Sequence, residues 1–307
     1  SEALAAAREI QDKRHRALAL ISLADKLPDL FSEALAAARE IQDKYYRALA
    51  LISLADKLPD LFSEALAAAR EIQDKRHRAL ALISLADKLP DLFSEALAAA
   101  REIQDKYYRA LALISLADKL PDLFSEALAA AREIQDKRHR ALALISLADK
   151  LPDLFSEALA AAREIQSEEY RALALISLAD KLPPELFSEA LAAAREIQDE
   201  YYRAEALISL ADKLPDLLSE ALAAAREIQD EYYRAEALSR LADKLLQVQK
   251  TPLFCLWRDT LHILSVHTRP NLLTDIKALT PIMFTLGDKQ AVKDTADAIQ
   301  DVSRWWG

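Results

Sequence analysis

Apolar residues along this chain fall at helical spacing in two short runs, and both runs recur. Leu30, Phe31, Ala34, Leu35, Ala38 and Ile41 share one side of a 3.6-residue period. Ala48, Leu51, Ala55 and Leu58 share another, with Leu54 beside them. The pattern predicts a helix A from near Pro28 to about Gln42 and a helix B from Lys44 to about Leu58. Pro28 suits a first helical turn, where its missing N–H costs nothing, and Asp29 and Glu33 suit the positive helix start. Asp43 is expected to cap helix B by accepting backbone N–H groups. Pro59 closes helix B and opens the next helix A. Links this short make the helices antiparallel neighbours. The many alanines allow approach at the near end of the ~8–10 Å interaxial range.

The whole unit repeats. A 31-residue string begins at Ser1 and returns at Ser32, Ser63, Ser94, Ser125, Ser156, Ser188 and Ser219, almost letter for letter. Neither helix buries its stripe alone, so each unit needs its neighbours. The expected fold is all-α: an α-solenoid of about eight helix-turn-helix repeats over residues 1–245, forming a superhelix. Repeat six departs at Ser167-Glu168-Glu169-Tyr170 and again at Leu182-Pro183-Pro184-Glu185, where one residue is added. Residues 167–187 therefore mark a junction, expected to change the stacking angle.

After Leu245 the period stops, and residues 246–307 are expected to form a helical cap over the last apolar face. Thr251-Pro252 should open a helix reaching about His267, and Pro270 should break it. A second helix is expected over Leu272–Leu279. A short third should start at Thr280-Pro281 and end at Gly287, and a last one should run from Asp288 toward Trp305-Trp306.

Three places vary between otherwise identical copies. Helix B opens with Arg14-His15, Arg76-His77 and Arg138-His139 in repeats one, three and five, but with Tyr45-Tyr46 and Tyr107-Tyr108 in repeats two and four. Leu18, Leu49, Leu80, Leu111, Leu142 and Leu173 give way to Glu205 and Glu236 in repeats seven and eight. Ile21 and its copies become Ser239 in the last repeat, followed by Arg240. A position that accepts Glu reads as surface, so repeats one to six are expected to expose a Leu and Ile stripe bordered by the Arg-His and Tyr-Tyr pairs. Exposed contiguous apolar area marks an interface; packing of these leucines against the neighbouring helix B is the competing reading. Stacking should place Arg14 beside Tyr45 and Arg76 beside Tyr107, a contact worth roughly 0.5–1 kcal/mol at exposed sites.

Composition narrows the function. Ala, Leu, Glu, Arg and Lys dominate, and the array contains no glycine. The net charge of −10 lies mostly in repeats six to eight, which carry −3, −4 and −2. An acidic total argues against nucleic acid as partner. No apolar run approaches the ~20 residues a membrane span needs, and no secretory signal is visible. The single Cys255 forbids an internal disulfide and fits a reducing, cytoplasmic setting; it is expected to be a small apolar filler. His262 and His267 diverge around a helix and make a poor metal pair. No Ser-His-Asp order, paired carboxylates or Cys-x-x-Cys occurs. No catalytic residue, cofactor or metal is expected. Lys13-Arg14-His15-Arg16 at a helix start could hold an anion, although Glu9 and Asp12 lie beside it.

The unit resembles the tetratricopeptide class in plan, including the Pro after helix B. It departs in period, in having no Gly in the turn and in lacking that family's Trp and Tyr signature. The AL-AAREI-D-RA-AL-LA-LP repeats, with Leu272-Leu273-Thr274-Asp275, Leu279-Thr280-Pro281-Ile282, Leu286-Gly287 and Asp301-Val302-Ser303-Arg304-Trp305-Trp306, resemble the C-terminal repeat arm of bacterial, chiefly cyanobacterial, signalling ATPases (STAND-type). The resemblance implies a ligand-sensing or protein-binding arm and carries over nothing catalytic. Near-identity of copies fits idealised design or recent gene duplication alike, and a start at Ser1 without Met reads as a trimmed piece.

The expected function is a non-enzymatic scaffold that binds a protein or peptide, or another copy of itself, through the helix B face of repeats one to six. The alternative is a sensor arm holding a small or anionic ligand at the Arg-His clusters. A second contact site is expected at the N-terminal end, where Leu4, Ala7 and Ile10 should lie bare.

Overall fold

The computed structural model describes residues 2–247 and 249–305. Among them there are helices and turns and no strand, in repeating helix-turn-helix units that pack on their neighbours: an all-α solenoid. The chain divides into two compact units, Ser1–Gln135 and Asp136–Gly307.

In Ser1–Gln135 each full repeat opens with one 3₁₀ turn, Pro28–Leu30 in repeat two's case, which leads into helix A at Phe31–Arg39. Helix A ends near Arg39, short of Gln42. Ile41 turns into the core at 3% exposure, and Asp43 takes an extended backbone (φ −67°, ψ 121°) so that its side chain can accept the Tyr46 N–H. Helix B covers Lys44–Ala55 and stops before Leu58. Pro59 drives Leu58 out of the helical region (φ −125°, ψ 83°), as expected of a residue before proline. The Asp cap recurs at Asp12, Asp74 and Asp105.

Helix B of one repeat packs closely on helix A of the next and touches the next helix B. The buried side is almost wholly Ala, Leu and Ile, with Ala48, Leu51, Leu54 and Ala55 at 0–1% exposure. Two ladders of arginine–glutamate pairs tie successive repeats. Arg8, Arg39, Arg70 and Arg101 each hold Glu33, Glu64, Glu95 and Glu126 through two N–H···O bonds of 2.6–2.8 Å. Arg16, Arg47, Arg78 and Arg109 reach Glu40, Glu71, Glu102 and Glu133. A third ladder runs from Lys57, Lys88 and Lys119 back to Asp25, Asp56 and Asp87.

In Asp136–Gly307 the same plan continues and then changes. The added residue at Pro183-Pro184 precedes the 3₁₀ turn Pro184–Leu186. Across it the arginine pair loosens: Arg163 meets Glu189 at 3.2 Å and Glu196 at 3.4 Å through single contacts. Arg171 turns to Glu168 of its own repeat. After the last helix B, Glu231–Leu245, come helices Lys250–Leu264 and Arg269–Ala278 and a helical stretch Thr280–Trp305. Lys250–Leu264 begins one residue before Thr251 and ends short of His267, and Pro270 sits inside the first turn of Arg269–Ala278 rather than breaking a helix. Thr280–Trp305 is interrupted at Gly287 and Asp288, where Asp288 takes a φ of 57°, in the left-handed region. A side chain at Gly287 would sit 2.7 Å from the Ala291 Cβ, so glycine is required there by close approach. Trp306 and Gly307 lie outside the described residues.

Candidate functional site

The variable positions of helix B lie where successive B helices meet. The Arg14 guanidinium stacks 3.4 Å from the centre of the Tyr46 ring, and Arg76 stacks 3.3 Å from Tyr108. Arg138 does the same to Tyr170, at 3.4 Å. The ring reached is thus one residue beyond the expected Tyr45 and Tyr107. The complementary position pairs Tyr45 with His77, ring centres 4.3 Å apart at 30°. The first residue of each pair stacks on the second residue of the next repeat. The Arg-His and Tyr-Tyr alternation therefore yields an arginine–tyrosine contact and a tyrosine–histidine contact in turn, with no stacked arginines among the described residues.

The leucines of the expected stripe are unequally exposed. Leu18, Leu80 and Leu173 are 46%, 37% and 50% exposed, while Leu49, Leu111 and Leu142 are half-buried. The isoleucines are not part of it: Ile21, Ile52, Ile83, Ile114 and Ile145 are buried at 5–8% exposure, facing the neighbouring helices. The inference from glutamate also fails at Glu205, which is buried at 8% exposure and bound to Arg240 of the following repeat. Glu205 and Arg240 are one coupled change, a leucine and a serine replaced by an ion pair across an interface. Glu236, which has no following repeat, is exposed.

The Arg-His clusters are occupied by their own chain. The His15, His77 and His139 backbone N–H groups are accepted by the capping carboxylates of Asp12, Asp74 and Asp136, with ring Nδ1 atoms 2.9–3.3 Å from the same oxygens. The His15 N–H holds the Asp12 carboxyl below its usual value. Arg16 gives one N–H to Ile10 O and another to Glu40. A groove of about 470 Å³ between repeats three and four is lined by Lys75 and Arg76, but also by Asp74 and Asp105. Its charges balance, so a free anion meets as much repulsion as attraction.

Two residues carry roles that the sequence reading did not assign. Glu168, at the junction, accepts the backbone N–H groups of Gln198 and Asp199 at 3.0 and 2.8 Å, which hold its carboxyl low. It anchors repeat six to repeat seven where the arginine pair has loosened. A Glu in place of Lys after the cap was the visible signal. Asp275, in the C-terminal segment, is fully buried against Arg234. Cys255 is exposed rather than filling the core, because helix Lys250–Leu264 turns Leu253, Thr260 and Leu264 inward instead. Among the described residues no group of His, Cys, Asp and Glu is placed to hold a metal, and no helix is long and apolar enough to cross a membrane.

No family model matches the chain, and no curated protein matches it. Among solved structures it is similar to Ton1535 from Thermococcus onnurineus NA1, at 19% identity over 92% of this chain and 94% of that one, with a TM-score of 0.36. It is also similar to a chain from a study of computationally designed self-assembling cyclic homooligomers, at 18% identity over 93% and 98%, with a TM-score of 0.13. At those scores neither likeness carries a role to this chain.

Proposed function

We propose that the chain is a non-enzymatic scaffold, working in the cytoplasm, whose helix B face binds a helical partner or a second copy of itself. The observation that supports this reading is the leucine stripe. Leu18 and Leu80 stand exposed in the first unit and Leu173 in the second, each beside half-buried or buried apolar neighbours of the same helix B position. Each of these leucines leaves 37–50% of its surface in water, and apolar area held in water favours association by ~25 cal/mol per Å² covered, before association costs. The ligand-sensing alternative has less support, because the arginines and histidines it needs are engaged with Tyr46, Tyr108, Asp12 and Asp74.

The test is light scattering on the parent and on a Leu18→Glu/Leu80→Glu/Leu173→Glu variant across a range of concentrations. The expected outcome is a species in the parent that grows with concentration and is smaller in the variant, with helicity unchanged. Equal masses, with or without an added phosphate-bearing ligand that raises the melting temperature, would count against the face.

A further inference from the structure

Leu4, Ala7 and Ile10 do not form the bare set expected of them, since Ala7 is buried at 4% exposure and the other two are half-buried. A cavity at repeats seven and eight carries more. It measures about 480 Å³, lies between the starts of two successive B helices and is walled by the rings of Tyr201, Tyr202 and Tyr233. Its counterpart between repeats three and four is the charge-balanced groove of about 470 Å³. The positions match and the side chains do not. Glu200 and Tyr201 stand where Lys75 and Arg76 stand, and Glu169 joins the wall. The carboxylates of Glu169, Asp199, Glu200 and Asp230 thus share a cavity that no basic residue lines.

Acids at a surface are by themselves a solvated patch. The ring among them says what belongs there. Upstream, the second residue of a pair receives a guanidinium from the repeat before it: Arg14 on Tyr46, Arg76 on Tyr108 and Arg138 on Tyr170, each at 3.3–3.4 Å. Tyr202 is the same position one repeat after Tyr170, and the residue equivalent to Arg138 is Glu169. The slot that holds an internal cation three times is here bordered by an acid. Tyr201 lies at 63° to the Tyr202 ring, 5.3 Å between centres, and no arginine or lysine stacks on that ring among the described residues. Tyr233 is covered by Tyr201 at 4.8 Å, so Tyr202 offers the open seat. Arg203, next in sequence, is turned to the Ile197 and Gln198 carbonyls and to Glu227. Glu169 and Glu200 have no partner among the described residues. Burial first, and then the negative charges of Glu169 and Asp199, push the Tyr202 hydroxyl above its ordinary value.

We propose that this cavity binds an arginine side chain of a partner protein, its guanidinium flat on the Tyr202 ring and its N–H groups given to the surrounding carboxylates, Glu169 foremost. Arginine fits better than the other cations. Its planar fork stacks on an aromatic face and donates to carboxylates at the same time. A quaternary ammonium stacks but has no N–H to give the acids, and a lysine ammonium donates but is a compact, strongly hydrated charge. The chain's own upstream slots hold arginine in that pose. The site uses none of the exposed leucines, so it and the leucine face can fail separately.

The experiment is fluorescence anisotropy of two labelled peptides of equal charge, one alternating arginine with glycine and one alternating lysine with glycine. Each is titrated with the full chain at about 0.15 M salt. Saturable binding of the arginine peptide is expected, at least several-fold tighter than the lysine peptide. Tyr202→Leu should remove that preference at unchanged charge, leaving the lysine peptide as it was. Glu169→Arg returns to the chain the cation that upstream rings hold, so it should abolish arginine-peptide binding, whereas Glu169→Gln should weaken it only several-fold. Glu169 is exposed and unpaired, so helicity should match the parent in both variants. Equal binding of the two peptides, a preference that survives Tyr202→Leu, or binding indifferent to Glu169→Arg overturns the proposal. So does choline that binds saturably while the arginine peptide does not, which would assign the cavity to quaternary ammonium groups.

Discussion

Arg47 and Arg234 occupy the same place in the repeat and live in opposite surroundings. Arg47 lies at an interface inside the array and reaches the half-exposed Glu71 at 2.8 Å. Arg234 lies where the last repeat meets the C-terminal segment, at 1% exposure against a fully buried Asp275. It gives Nε–H to both Asp275 oxygens and Nη1–H to the Ile228 and Gln229 carbonyls. Burial pushes the Asp275 carboxyl up, while Arg234 and the nearby His267 pull against it. The array distributes weak, wet ion pairs over many equal interfaces. The cap concentrates charge in one dry pair that must be complete to be tolerated.

The largest effect should come from breaking that dry pair. Asp275→Ala strands the Arg234 charge and should cost about 3–5 kcal/mol locally. Hydrogen exchange should rise across residues 231–245 and 269–278 while the first four repeats stay protected. Apolar truncation should ignore the comparison: Leu82→Ala and Leu238→Ala, in both regions, should each cost ~2–5 kcal/mol by urea unfolding, since both are buried to 2% exposure or less. If only the Leu238 variant is costly, packing as well as charge differs between the regions. Removing a helix B cap with Asp74→Ala should cost about 1 kcal/mol, and a double-mutant cycle on Arg76 and Tyr108 should return roughly 0.5–1 kcal/mol.

The smallest effect per site belongs to the wet ladders. Glu71→Gln should cost no more than about 1 kcal/mol and should vanish in high salt. Two-point hydrogen bonding by arginine holds Glu64, Glu95 and Glu126 below their ordinary value of 4.5. A carboxyl lowered on folding contributes stability above its unfolded pKa and loses it as pH falls through the folded one. The melting temperature of the array should therefore begin to drop as the solution is acidified below about pH 4.5, and Glu→Gln at these sites should flatten that slope.

The repeat, its two helices and the Asp caps were legible because they depend on local spacing and on one residue at one place. The helix ends were less so. Gln42 was placed inside helix A because nothing local stops it; Ile41 leaves the helix for a neighbour that the pattern of a single repeat does not contain. The exposure of the Leu and Ile positions was hard to read for a related reason. Leu18 and Ile21 share a side of helix B, but Ile21 is buried while Leu18 stays 46% exposed. Arg14 meets Tyr46 rather than Tyr45 because the offset between stacked helices is a three-dimensional quantity. Arg234 and Asp275, 41 residues apart with no periodic relation, left no trace in the pattern at all.

The comparison also names the rival to the leucine face. The cap exposes Phe254 at 53% and Phe284 at 54%, as much apolar side chain as Leu18 or Leu173. Oxidative footprinting of the parent in its dilute and its concentrated or partner-bound forms separates the two most directly. The account predicts protection of Leu80 and Leu173 on association, with Phe254 and Phe284 labelled equally in both states. Protection confined to the two phenylalanines, with the leucines unchanged, would contradict it.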